Sequence, residues 1–99
     1  MLLPHVIRFN ASAAGALYAD LAHEVGLING DGGAAAEVLA RRVAQLMQAA
    51  KLPTRLRDCG VSPGIFPVLA DEAAQQWTGK FNPRPVGEAE LLALYESAY

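Results

Sequence analysis

Asp20, His23 and Glu24 lie close together in a stretch of helical periodicity, so Asp20 and His23 share one helix face and could grip a divalent cation. Two or three donors on one helix, with no second element contributing, make a poor site. A solvated polar face is the stronger reading. His5 stands alone in an apolar stretch, where a histidine is expected to be a hydrogen-bonded packing residue. Cys59 is next to Asp58, whose charge disfavours the thiolate a nucleophile needs. Ser12, Ser62 and Ser97 have no histidine nearby in sequence, so no triad can be assembled. The run Gly30-Asp31-Gly32-Gly33 enters a helix, whose free N–H groups could hold an anion. No strand precedes it and Asp31 would repel a phosphate, so a turn followed by a helix start is expected.

The elements that would position these residues are helical throughout. Leu2, Leu3, Val6, Ile7 and Phe9 cluster on one side of a short first helix, with Pro4 tolerated near its first turn. Asn10 and Ser12 are expected to end that helix and cap a second, which runs to about Val25. Ala14, Leu17, Tyr18, Leu21, Ala22 and Val25 form its inward stripe, and Gly26 stops it. A third helix covers about 34–50, with Leu39, Val43, Leu46, Met47 and Ala50 inward and Glu37 four residues before Arg41.

After Pro53 comes a connector with one helical turn at most. A fourth helix spans about 63–77, with Ile65, Phe66, Leu69, Ala73 and Trp77 inward and Pro67 in its first turn. The segment 78–85 is expected to be irregular, because Asn82 and Arg84 each precede a proline. The last helix covers about 88–98, pointing Leu91, Leu94, Tyr95 and Ala98 at the core. The pattern predicts an all-α fold of about five helices in a partial bundle, a single helical domain over 1–99.

Apolar residues make up 53% of the chain and charged residues 18%, more apolar surface than a small monomer hides easily. A net charge of −2, with the densest positive stretch (Lys51, Arg55, Arg57) followed by Asp58, argues against nucleic-acid binding. One cysteine forms no internal disulfide, which suits a cytoplasmic protein. The opening apolar run is interrupted by Pro4, His5 and Arg8, so neither a signal peptide nor a membrane span is expected.

"LLPHVIRFNA" at one end and "FNPRPVGEAELLALYESAY" at the other resemble the C-terminal part of the iron-containing (group III) alcohol dehydrogenases and the related maleylacetate reductases. The resemblance covers the whole chain. It implies the last quarter of an enzyme with an N-terminal NAD(P)-binding α/β domain and a helical domain holding iron or zinc through an aspartate and three histidines. It also implies that the last metal histidine lies in a "PHG" motif just before the "LLPHV" helix. Met1 would then enter downstream of every ligand, and His5 matches a histidine outside the ligand set.

The chain is therefore expected to be fragment-like, without nucleotide domain, metal ligands or cofactor of its own, and without catalysis alone. Pro4, His5, Asn82, Pro83, Arg84 and Pro85 are structural motif residues in this reading. The Arg84 guanidinium is expected to bond carbonyls left free at helix C-termini. Gly87 stands where relatives carry a capping Thr or Ser, leaving Glu90 as half of a capping box. Partners are expected to be a missing catalytic segment or a second copy, the latter through a face of Leu2, Leu3, Val6, Ile7 and Phe9. The alternatives are a helical interaction module and one piece of a split dehydrogenase.

Overall fold

The computed structural model describes residues 1–29 and 33–99. They form helices α1 (Leu3–Glu24), α2 (Ala35–Ala49), α3 (Phe66–Ala74) and α4 (Glu88–Ser97), with single 3-10 turns over Leu56–Cys59, Pro63–Ile65 and Trp77–Phe81. No strand occurs among the described residues. The expected turn at 27–33 falls partly outside them.

The five helices read from the sequence become four, because the break expected at Asn10–Ser12 does not exist. Asn10 is buried inside α1 and its side-chain amide bonds Asn82 rather than capping a helix end. The alanine-rich run after it has high helix propensity, so nothing local stops the chain. Gly26 does stop α1, as expected. It adopts φ +70°, and the Gly26 and Leu27 N–H groups donate to the carbonyls of His23 and Ala22.

The same pattern ends α2, but with Lys51 at φ +56° in place of a glycine; Lys51 and Leu52 donate to Gln48 and Met47. Pro67 does sit in the first turn of α3. That helix ends three residues before Trp77, which lies in a 3-10 turn with 67% of its surface exposed, not in the core. Thr78 and Gly79 are weak helix formers, and the prolines beyond them demand extended backbone.

Helices α1 and α2 form one hairpin, with Ile7, Ala22, Ala35, Leu39 and Ala40 at its buried centre. Helices α3 and α4 form a second pair around Phe66 and Ala98, with Leu56 of the connector beneath them. There Phe66 stacks on Tyr95 and meets the edge of Tyr99, at centroid distances of 6.2 and 5.7 Å.

The molecule is a slab of 43 × 31 × 18 Å with a radius of gyration of 14.5 Å, larger than the ~13 Å of a compact chain of this length. A slab that thin has little interior, and this corrects several inward assignments: Leu17, Leu21, Val25, Leu46, Ala50 and Ile65 are exposed.

Candidate functional site

The most tightly determined cluster of polar side chains is the joint between α1 and the segment 82–86. Asn10 and Asn82 exchange two hydrogen bonds, each side-chain NH2 donating to the other's carbonyl oxygen at 2.8 Å. Asn82 also donates to the carbonyl of Arg84 at 2.6 Å. Pro83 and Pro85 fix the backbone on either side of Arg84. The guanidinium donates to the carbonyl of Phe9 at 3.0 Å and lies 4.0 Å from the centre of the Phe9 ring. Arg84 thus bonds one carbonyl in the middle of α1, not several at a helix end as expected. A planar guanidinium suits this double contact with carbonyl and ring face.

The half-capping box appears as read: the Gly87 N–H donates to the Glu90 carboxylate at 2.9 Å, which holds that carboxyl below the usual range. Pro4 is buried in the first turn of α1. His5, one residue on, places Nδ1 3.0 Å from Ser97 Oγ, and that hydroxyl donates to the Leu94 carbonyl at 2.8 Å. Burial foremost, then the charges of Arg8 and the N-terminus, pushes the His5 pKa down, so the neutral ring is favoured. His5 is a hydrogen-bonded packing residue.

On the other side of α1, Glu37 accepts from Arg8 (2.7 and 3.1 Å) and from Arg41 (2.8 Å). The bonds from Arg8, then Arg41, lower its pKa to about 2. This ion pair staples α1 to α2 and includes the expected Glu37–Arg41 contact. Arg84, Asn10 and Asn82 are all engaged in holding backbone and each other, so the joint positions segments and offers no free acid, base or nucleophile.

The metal implied by the resemblance does not fit these residues. His5 is committed to Ser97, and Asp20, His23 and Glu24 stay exposed on one helix. Among the described residues no group of three or more His, Cys, Asp or Glu side chains is placed to hold an ion. Nor, among the described residues, is any helix long and apolar enough to cross a membrane.

The residues expected to form a self-association face are split between interiors. Ile7 is in the α1–α2 core, Leu2 packs in the α3–α4 cluster, Val6 and Phe9 are half-buried, and Leu3 is exposed. No local signal marks the Asn10–Asn82 pair, whose members are 72 positions apart.

All residues from 1 to 99 match the family model described as "Fe-containing alcohol dehydrogenase family, C-terminal". The chain belongs to that family. Its sequence is 35% identical to 1,3-propanediol dehydrogenase of Citrobacter freundii and 32% identical to lactaldehyde reductase of Escherichia coli K12. Each match covers 100% of this chain and 26% of the relative. A crystal structure of 1,3-propanediol oxidoreductase superimposes with a TM-score of 0.89 at 33% identity, over 99% of this chain and 26% of that one. The chain therefore spans about a quarter of the length of its relatives, and within this family it is the helical C-terminal region.

Proposed function

We propose that this chain serves as the C-terminal helical portion of an NAD(P)-dependent alcohol dehydrogenase, supplying packing to a catalytic apparatus held elsewhere and performing no catalysis alone. The observation that carries the reading is the joint between α1 and segment 82–86. Its asparagine and arginine side chains bond each other and the backbone, fixing segment 82–86 to α1. Hydride transfer needs a nicotinamide site and a polarised carbonyl or alcohol, and nothing in the joint supplies either.

The relatives' names, a propanediol dehydrogenase and a lactaldehyde reductase, point to small hydroxylated alcohols and aldehydes as the substrate class of the whole enzyme. The test is metal analysis of the purified chain, together with NAD+ and NADP+ reduction in the presence of 1,3-propanediol. No tightly bound iron or zinc and no turnover are expected. One ion per chain that disappears in His5→Ala or His23→Ala, or measurable turnover, would overturn the reading.

A further inference from the structure

The half of α1 nearest Met1 and its other half differ in what covers them. Segment 82–86 and α4 lie over the first through Asn10, Phe9 and His5. The second carries Leu17, Leu21 and Val25, exposed by 69%, 51% and 58%. Leu21 and Val25 form one wall of an apolar groove of about 460 Å³, and Val43 and Leu46 of α2 form the other. Arg42 stands on its margin and has no ion-pair partner among the described residues. A long row of aliphatic side chains in water on a small molecule marks a contact surface.

We propose that this α1–α2 groove is the docking face for the remaining part of a dehydrogenase chain, which enters it with an apolar helix bearing a carboxylate opposite Arg42. The inference rests on the function proposed above. Three observations select that occupant. The solved relative reproduces this fold over 99% of the chain, yet the matched part is only 26% of its polypeptide, so a dehydrogenase of this family carries a long further stretch of chain that could supply the occupant. The groove lies on the half of α1 away from the joint with segment 82–86, between α1 and α2. Among the described residues lining it, the one charged side chain is the Arg42 guanidinium, which selects a carboxylate-bearing partner.

The test grafts this chain in place of the matching C-terminal quarter of the Citrobacter freundii 1,3-propanediol dehydrogenase. Leu21→Glu and Arg42→Glu are compared in the graft and in the free chain by melting temperature and sedimentation. In the graft each variant is expected to lower the melting temperature by at least about 5 °C. In the free chain, where both side chains face water, neither should lower it. A graft that folds and ignores both variants overturns the docking face but leaves the functional reading standing. A wild-type graft that does not fold overturns both. A free chain that sediments as a dimer, and becomes a monomer with Leu21→Glu, assigns the groove to a second copy and also overturns the proposal.

Discussion

The two helical pairs are held together by different means. The α3–α4 pair is centred on one large ring: Phe66 is 4% exposed and touches both Tyr95 and Tyr99, while Arg57 lies 5.9 Å from the Tyr99 ring. The α1–α2 hairpin is centred on alanines, with Ala22 and Ala40 fully buried beside Ile7, Ala35 and Leu39. Small side chains bring helix backbones close but remove little apolar area each from water. The hairpin compensates at its edges, with an ion-pair staple on one side and helix ends closed by backbone hydrogen bonds. One pair is built around a keystone ring. The other is spread over many small contacts, and it lines the groove of Leu21, Val25, Val43 and Leu46.

The sharpest way to break that contrast is to remove the keystone. Phe66→Ala is expected to cost about 3–5 kcal/mol by the cavity it leaves, a large share of the stability of a small domain. Denaturant unfolding would measure it. A loss below that range would mean that the α3–α4 pair, like the hairpin, distributes its stability.

An intermediate effect is expected at the joint between the pairs. Asn10→Ala leaves the Asn82 amide without its reciprocal partner, a loss of about 1–3 kcal/mol for a buried polar group. In a double-mutant cycle with Asn82→Ala the two losses should not add, because either one alone already breaks both hydrogen bonds. Additive losses would show that each asparagine acts through a different neighbour.

The smallest effect has the opposite sign. Lys51 closes α2 at a positive φ where a side chain is strained. Lys51→Gly is expected to stabilise by about 0.5–1 kcal/mol, read as a higher denaturation midpoint with an unchanged slope. No gain would mean that the Lys51 side chain offsets its backbone strain.

Where the controlling interaction is local, the sequence announces the structure. Gly26 as a stop, Pro67 in a first turn, Glu37 four residues before Arg41, and Glu90 reaching back to Gly87 are all contacts within a turn or so of helix. Where the partner is distant, local reading fails. Asn10 has the type of a helix breaker, and only Asn82, far along the chain, keeps it inside a helix. Leu17, Leu21, Val25 and Leu46 have the spacing of core residues but are exposed. Periodicity reports which face is apolar; it does not report what lies against that face. Trp77 shows a third kind of failure, in which an apolar residue at the right spacing lies past the end of α3, in a 3-10 turn.

The reciprocal amide pair also bears on chemical ageing. Asparagine deamidates when the backbone nitrogen of the next residue attacks its side-chain carbonyl. At Asn82 that nitrogen belongs to Pro83, which carries no hydrogen to lose. At Asn10 it belongs to Ala11, held within the hydrogen-bonded interior of α1. Both members of the joint are therefore shielded from this slow conversion to aspartate, which would otherwise introduce a buried charge between the two helical pairs. The sequence places its more vulnerable amide elsewhere: Asn29 is followed by a glycine, remote from the joint in the chain.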